Sequence, residues 1–241
     1  MIPNSNKIKF SLIIPVFNEE DFLPACVRSV QKQLGNFEIE IIVVDNNSTD
    51  HSFEIAKSLG VKVLREVKKG VGQARKTGTE NAQGEFVMQL DADTQLPENY
   101  LLEILKRFED DKNLVCLGGQ MYFYDGRLWQ NFLRPFFHYW FWLFAVIFSA
   151  GRIGPMGNNM VFKKEIYNKT SGFDAELKFG EDMDLAKKLS YFGKVKLDMS
   201  LKFFASARRF VLNRDLWIYI LNFYRMLFLG KPLENNLPKI K

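Results

Sequence analysis

The sequence predicts an α/β fold in which a mostly parallel central sheet is flanked by helices. Short apolar runs rich in β-branched residues alternate with segments of helical period through roughly the first 120 residues. With 241 residues, of which 47% are hydrophobic and 25% charged, the chain can bury a substantial core, so intrinsic disorder is excluded. Cys26 and Cys116 lie far apart without a CxxC pair. A structural zinc site is therefore excluded, and a reducing compartment is favoured.

The first half contains five apolar runs that are predicted to be buried strands, because each is too short for a helix core. These strands are Lys9–Val16, Ile39–Asp45, Val61–Arg65, Phe86–Leu90 and Leu114–Gly118. Four helices are predicted between them from apolar residues at helical spacing and from capping residues. The helices are Glu20–Gln33, the segment from the caps Ser48, Thr49 and Asp50 to Leu59, Val71–Ala82, and the segment from Pro97 to Phe108.

The second half differs in composition. Residues 126–164 contain no Asp or Glu but three of the four Trp, and α/β character returns after them. The predicted elements there are strands Asn159–Phe162 and Val195–Asp198, a helix from about Glu181 to Phe192, and a last helix Leu212–Leu229. The pattern divides the chain into a domain of residues 1–211, with halves 1–118 and 119–211 and an aromatic insert at 127–151, and a basic tail at 212–241.

Carboxylates follow three of the predicted parallel strands at their carboxyl ends, where such sheets bind ligands. Glu19 follows the first strand, Asp45 ends the second, and Asp91 and Asp93 follow the fourth. Alternate residues on an extended turn can direct two carboxylates at one divalent cation and at the diphosphate that it bridges. An acidic helix cap is the alternative interpretation of Asp91-Ala92-Asp93.

Two further segments carry polar groups that suit a nucleotide site. Gly70 and Gly72 let the backbone approach a phosphate or ribose, and Arg75 can neutralise charge there, although a simple turn is the alternative. Glu181 and Asp182 begin a predicted helix, whose macrodipole keeps a carboxylate ionised as a general base requires. An ordinary acidic first turn is the alternative here.

Together these segments resemble the family 2 glycosyltransferases of the GT-A fold, which is Rossmann-like, over roughly residues 8–210. The matching strings are SLIIPVFNEE, EIIVVDNNSTD, KKGVGQARKTG, FVMQLDADTQLP and GNNMVFKKEIYNKTSGFD…FGEDMDLAKKLSYFG. The resemblance implies a nucleotide-sugar donor (a UDP- or GDP-sugar), Mn²⁺ or Mg²⁺, and an inverting transfer.

The resemblance also implies a role for each matching residue. It places Pro15, Phe17, Glu19, Asp45 and Arg75 around the nucleobase and ribose, Asp91 at the ribose or diphosphate, and Asp93 on the metal. It places Gly157, Asn158 and Glu181 at the sugar or acceptor, makes Asp182 the general base, and leaves Arg208 or Arg209 for a leaving or acceptor phosphate. The sequence departs from the family in two strings: Asn46 follows Asp45 where a second acid is common, and the Q-x-x-R-W string of processive synthases is absent. The absence favours transfer of one sugar per encounter.

The aromatic insert and the tail predict contact with a membrane surface. The polar residues of the insert recur every three to four positions and draw one stripe along a helix: Arg127, Gln130, Asn131, Arg134 and His138. Its longest uncharged run, Pro135–Gly151, is shorter than the about 20 residues of a spanning helix, so an interfacial or re-entrant helix is predicted. A core helix or a dimer contact is the alternative.

The tail favours the same location. Residues 194–241 contain ten Lys/Arg and three Asp/Glu, which suits the anionic cytoplasmic leaflet. The N-terminal residues lack a secretion signal, so we expect peripheral association with the cytoplasmic face of the inner membrane and a lipid-linked acceptor such as a polyprenyl phosphate.

Three other functions agree less well with the sequence. Nucleic-acid binding is disfavoured because the carboxylates would repel phosphates. A nucleotidyltransferase would carry a Gly-rich, Arg-bearing loop after the first strand, where this chain has Pro15-Val16-Phe17-Asn18-Glu19. A non-catalytic scaffold would lack Asp93 or Asp182, and both are present.

Overall fold

The computed structural model describes residues 8–132, 136, 139–140, 143, 158–177, 179–209 and 214–229. Its strands are β1 (Phe10–Val16), β2 (Ile39–Asp45), β3 (Lys62–Arg65), β4 (Phe86–Leu90), β5 (Thr94–Gln95), β6 (Leu114–Phe123), β7 (Asn159–Lys163) and β8 (Lys194–Ala205). Its helices are α1 (Leu23–Gln31), α2 (Ser52–Ser58), α3 (Val71–Glu80), α4 (Tyr100–Asp110), α5 (Lys164–Tyr167), α6 (Glu181–Ser190) and α7 (Arg214–Leu229).

The strands form one sheet in the order β3-β2-β1-β4-β7-β6-β8-β5. Four of the seven pairings between these strands are parallel, and the three antiparallel ones involve β7 or β5. The predicted α/β fold is confirmed: the sheet is mixed, and the parallel pairings are the majority. The periodicity of a strand does not encode its direction, so the reversal of β7 after the aromatic insert was not predictable.

Helices cover both faces of the sheet because alternate residues of each strand point to opposite sides. In β1, Leu12 and Ile14 join the core beneath α1 and α4, whereas Ile13 joins the core beneath α3 and α6. Gly78 is required within α3, since an added Cβ would lie 2.3 Å from Cγ2 of Ile13. This close packing brings α3 down onto the centre of the sheet.

Three local predictions differ from the structure. Helix α4 begins at Tyr100, and Pro97 lies in the preceding turn, where its carbonyl accepts hydrogen bonds from Tyr100 N and Gln33 Nε2. Helix α2 begins at Ser52, with the Asp50 carboxylate accepting from Ser52 N at 3.0 Å. Strands β6 and β8 both extend beyond their predicted ends and pair in parallel as far as Phe123 and Ala205. Gly119, Gln120, Ser200 and Lys202 interrupt the apolar pattern of these extensions, and the pairing of the two strands continues them past the interruptions.

Within the described part of the chain, no helix has the length and hydropathy needed to cross a bilayer.

Candidate active site

Strands β1, β2 and β4 are parallel neighbours, so their carboxyl ends meet at one edge of the sheet. Because β7 is antiparallel, its first residue Asn159 lies opposite Leu90, and Asn158 therefore reaches the same edge as Asp91. The structure thus brings together residues that the sequence separates widely: Pro15, Phe17, Glu19, Asp45, Asp91, Asp93 and Asn158. Gly157 lies outside the described residues.

One half of the site is organised by Arg208. Its Nη2 and Nε lie 3.0 and 3.1 Å from Oδ2 of Asp93, and Nη2 also contacts both carboxylate oxygens of Glu19. The guanidinium stacks over the Phe22 ring at 4.0 Å. The side chains of Glu19 and Asp93 are only 7% exposed, so Arg208 neutralises two buried carboxylates. Of the two predicted phosphate ligands, Arg208 therefore faces Asp93, the predicted metal ligand, and Arg209 ends the short helical turn Ala207–Arg209.

The other half is organised by Arg75, whose side chain is 6% exposed. Its Nη1 donates to Glu181 Oε1 at 2.9 Å, and its Nη2 donates to Asp91 Oδ1 at 3.0 Å. The resemblance places Arg75 beside the nucleobase or ribose. In the structure, Arg75 joins α3, the end of β4 and the start of α6, so it holds the carboxylate of the predicted donor site next to the predicted catalytic helix.

Helix α6 presents Asp182 at its N-terminus. Gly180 precedes the helix with φ of 76°, a left-handed conformation that glycine adopts without strain, and Met226 of α7 packs against it. Asp182 is half-buried, and its Oδ1 accepts a hydrogen bond from Met183 N at 2.8 Å. The neighbouring Glu181 is buried beside Arg75. Of the two adjacent acids, Asp182 is therefore the more accessible.

The nucleobase side of the site is built around Asp45 and Asn46. Asp45 is buried, and its Oδ1 accepts from Ser48 N at 3.3 Å. The Asn46 amide donates to the carbonyls of Glu66 and Lys68 at 2.9 and 2.7 Å and accepts from Gly70 N at 2.8 Å. A carboxylate could not make those two donations. Asn46 therefore ties down the loop that leads into α3, which explains the departure from a second acid at this position.

The carboxylates of the site fit a divalent cation. Carboxylate oxygens are the ligands that Mg²⁺ and Mn²⁺ prefer. Four acids here contact two arginines: Asp91 and Glu181 pair with Arg75, and Glu19 and Asp93 pair with Arg208. Among the described residues, no three His, Cys, Asp or Glu side chains form a preassembled metal site. A Mg²⁺ ion is commonly held by one or two carboxylates together with substrate phosphates and water.

The family model described as "Glycosyl transferase family 2" matches residues 11–170. The chain belongs to this family. The match contains β1 to β7 and therefore most of the residues of the site.

Two curated relatives and one solved structure illustrate the similarity. Glycosyltransferase GlyG of Streptococcus pneumoniae is 36% identical over 121 residues, which are 48% of this chain and 40% of the relative. Dolichol-phosphate mannosyltransferase of Pyrococcus furiosus is 30% identical over 126 residues, 50% of this chain and 35% of the relative. The mannosyltransferase PcManGT of Pyrobaculum calidifontis, solved with GDP-Man and Mn²⁺, superimposes with a TM-score of 0.73 at 19% identity, covering 93% of this chain and 64% of that one. This likeness shows the GT-A fold.

The matches cover less than half of the curated relatives, for example 35%, 40% and 39% of the first three.

Sequence reasoning missed one residue at the site of this family 2 chain. Asp125 accepts a hydrogen bond from Ser206 Oγ and another from Ala207 N, each at 2.6 Å. Its partners are more than 80 positions away in the sequence, so no local pattern could indicate them. The one available signal is that Asp125 is the last acid before the acid-free insert.

Several apolar side chains of the aromatic insert and of helix α7 are exposed to solvent. The described residues of the insert from Leu128 onward are helical, and the Asn131 amide bonds both backbone polar groups of Phe123 at 2.7 Å. Leu128 and Phe132 are 91% and 81% exposed. The predicted stripe residues Arg134 and His138 lie outside the described residues.

Helix α7 is arranged in the same way. Asn222 and Phe223 are buried, and Phe223 packs against Phe179 and Met183, which flank Asp182. Leu221, Phe228 and Leu229 are exposed. In both helices an Asn is turned towards the protein, since Asn131 bonds Phe123 and Asn222 is buried, while the named apolar side chains remain exposed to a partner surface.

We expect the buried Glu181 to make the stability of the folded protein depend on pH. Burial raises its pKa to about 7, with Asp182 raising it further and Arg75 opposing both. Because the ordinary value is 4.5, the stability that the protonated group contributes is complete below about pH 4.5 and is lost as pH rises through about 7. We expect the melting temperature of Glu181→Gln to change less than that of the wild type between roughly pH 5 and pH 8.

Thermal unfolding across this pH range is the measurement. Glu103→Gln is the matched control, since Glu103 also pairs with an arginine but is exposed on α4. Parallel curves for the wild type and Glu181→Gln would contradict the raised pKa.

Proposed function

We propose that this chain is an inverting glycosyltransferase that moves one sugar from a UDP- or GDP-sugar to an acceptor in cell-envelope glycan synthesis. The observation that carries the proposal is the Arg75 bridge between Asp91 and Glu181. It holds a carboxylate of the donor site beside the accessible Asp182, which is the arrangement that a single displacement requires.

The donor site is assigned from the edge of the sheet inward. Asp45 accepts hydrogen bonds from the nucleobase, and Phe17, which is 54% exposed at the end of β1, packs against it with Pro15 behind. Asp93 would hold the cation, Mn²⁺ or Mg²⁺, whose chemistry would be to stabilise charge on the leaving diphosphate, and Asp91 would lie at the ribose or diphosphate. Arg208 adds a positive charge on the same side.

The acceptor is activated by Asp182. When the acceptor is a hydroxyl, Asp182 takes its proton as the oxygen bonds to the anomeric carbon, while the bond from that carbon to the diphosphate breaks. Attack occurs on the face opposite the leaving group, so one displacement inverts the anomeric configuration. An acceptor phosphate, being already anionic, needs no proton removed. Asn158 and Glu181 border the sugar.

The reaction is tested by incubating the purified chain with UDP- and GDP-sugars, Mn²⁺ or Mg²⁺, and polyprenyl phosphate. We expect release of the nucleoside diphosphate and a product of inverted configuration by NMR. If no donor releases nucleotide, the transferase proposal is rejected, and retained configuration would reject inversion. Pyrophosphate release from a nucleoside triphosphate and a sugar phosphate would instead indicate a nucleotidyltransferase.

We further propose that the acceptor is lipid-linked and that the chain associates peripherally with the cytoplasmic face of the inner membrane. Support comes from the exposed apolar side chains of the insert and of α7, and from the basic excess after Lys194. Parallel pairing of Phe123 with Ala205 means that the insert and the tail leave the sheet at the same edge, beside Asp93. A lipid held there would present its head group to Asp182.

Flotation with vesicles containing anionic lipid tests membrane association. We expect the wild type to float at low salt and less at high salt, because exposed charges are screened. Leu128→Ser combined with Phe132→Ser should reduce flotation, whereas Leu34→Ser, which alters an exposed leucine near α1, should not. Wild type that stays in the soluble fraction at low salt would reject the membrane proposal without affecting the transferase assignment.

A further inference from the structure

We infer that Asp125 is a positioning residue that holds Arg208 over the carboxylates of the donor site. Asp125 lies two residues beyond β6, at the start of the aromatic insert, and has no predicted role from the sequence. The hydrogen bonds that support this inference do not depend on the proposed function, but the activity measurements that test it rest on that function.

The turn that carries Arg208 is held on two sides. On one side, Ser206 N donates to the backbone carbonyl of Asp93 at 3.2 Å. On the other, the two carboxylate oxygens of Asp125 accept from Ser206 Oγ and from Ala207 N, both at 2.6 Å. Ser206 Oγ in turn accepts from Arg208 N at 3.2 Å. Asp125 therefore fixes the position of the Arg208 backbone from which the side chain extends.

The position of that side chain matters because arginine has many rotamers and must meet two separate acids. Arg208 reaches Glu19 and Asp93, which are 189 and 115 positions away in the sequence. A turn free to shift would offer the guanidinium to one acid or to solvent. Hydrogen bonds to an ionised carboxylate are about twice as strong as neutral ones, so Asp125 is well suited to prevent that shift.

Asp125 also connects the donor site to the insert. Tyr124 N donates to Ala205 O at 3.2 Å, which continues the pairing of β6 with β8 up to Asp125. The same short segment thus begins the exposed aromatic helix and holds the turn of Arg208. Asp125 therefore connects two parts of the molecule. It lies next in the chain to the surface proposed to bind the acceptor lipid, and its hydrogen bonds hold the turn of Arg208, the positive charge proposed to face the diphosphate.

A double-mutant cycle between Asp125 and Arg208 tests the inference. The variants are Asp125→Ala, Arg208→Ala and their combination, with kcat/KM for the nucleotide-sugar and the Kd of UDP or GDP with Mn²⁺ as readouts. We expect Asp125→Ala to lower kcat/KM roughly tenfold, the factor for one charge-assisted hydrogen bond, but less than about twofold in the Arg208→Ala background. Arg208→Lys, which keeps the charge but lacks the guanidinium fork, is the second background if Arg208→Ala folds poorly.

Two further variants separate positioning from general stability. Asp125→Asn keeps an oxygen that can accept from Ala207 N, and we expect it to restore most of the activity. Asp111→Ala removes an exposed aspartate that also closes a turn, by accepting from Asn113 N, and we expect no change in kcat/KM. A lowered melting temperature of Asp125→Ala with unchanged kcat/KM would overturn the inference.

The remaining outcomes distinguish the inference from the proposed function. Equal losses from Asp125→Ala in the wild-type and Arg208→Ala backgrounds would overturn the inference and leave the transferase assignment intact. Wild type that neither binds UDP or GDP nor releases nucleotide would overturn the proposed function. The same variants would then be compared by their free energies of unfolding. Additive changes in that free energy would reject the coupling of Asp125 to Arg208.

Discussion

Replacing Asp182 with Asn is expected to lower kcat by about 10²- to 10⁴-fold while donor binding stays close to that of the wild type. Asn keeps the size of the side chain and the oxygen that accepts from Met183 N at 2.8 Å, so the start of α6 is preserved. The substitution removes the group that takes the acceptor proton. Single-turnover kinetics and a separate measurement of the nucleotide Kd check the two parts of the expectation.

Asp184→Asn is the matched control for this variant. Asp184 lies two residues further along α6 and pairs with Lys188 at 2.6 Å on the same helix. We expect its kcat to remain near that of the wild type. A kcat for Asp182→Asn within a few-fold of wild type would mean that another group is the base.

Replacing Asp93 with Asn is expected to remove most of the stimulation of turnover by Mn²⁺, about 10²- to 10³-fold, which is the loss typical of one electrostatic group. Asn retains an oxygen that can accept from Arg208, so the turn after β8 should persist. Nucleotide release across a Mn²⁺ titration, with and without excess chelator, is the measurement. Full turnover of the wild type in chelator, or an unchanged Mn²⁺ response of the variant, would contradict the metal role.

Asp198→Asn controls for the loss of a buried aspartate–arginine pair. Its carboxylate lies 2.6 Å from Arg107 Nε and is mostly buried, on a part of β8 remote from Ala205. Burial raises the pKa of Asp198, but hydrogen bonds from Ser200 and Arg107 outweigh this and lower it to about 2. Its stabilising contribution is therefore present above the ordinary pKa and lost only as pH falls towards 2, so the control is valid at the pH of the assay.

The central strands were predictable because their sequences leave little choice. Ile39–Asp45 and Phe86–Leu90 have the predicted bounds to the residue, since each is a mainly apolar run followed by a polar turn. Strand β8 extends from Lys194 to Ala205, well beyond the predicted Val195–Asp198. Its polar residues are accommodated by pairing with β6 and β5, and such partners are not encoded in the segment itself.

The sequence indicated both the acids and the arginines of the candidate site, but it did not indicate which acid each arginine contacts. Glu19, Asp45, Asp91 and Asp93 follow strands that are recognisable from sequence, so topology alone places them at one edge. The roles assigned to individual residues stay predictions. Arg75 belongs to α3, and Arg208 belongs to a turn after β8. The residues next to them in the sequence do not indicate which acids they contact.

Local hydrophobic period predicts the α/β fold. The rule that parallel strands end at a common edge then predicts where the candidate site lies and which acids line it. The arginine contacts come from the folded chain: Arg75 joins Asp91 to Glu181, Arg208 joins Glu19 to Asp93, and Asp125 holds the turn of Arg208. A buried charge needs a partner within a few ångströms, but chain folding brings that partner from any distance along the sequence, so its identity is a property of the packed molecule.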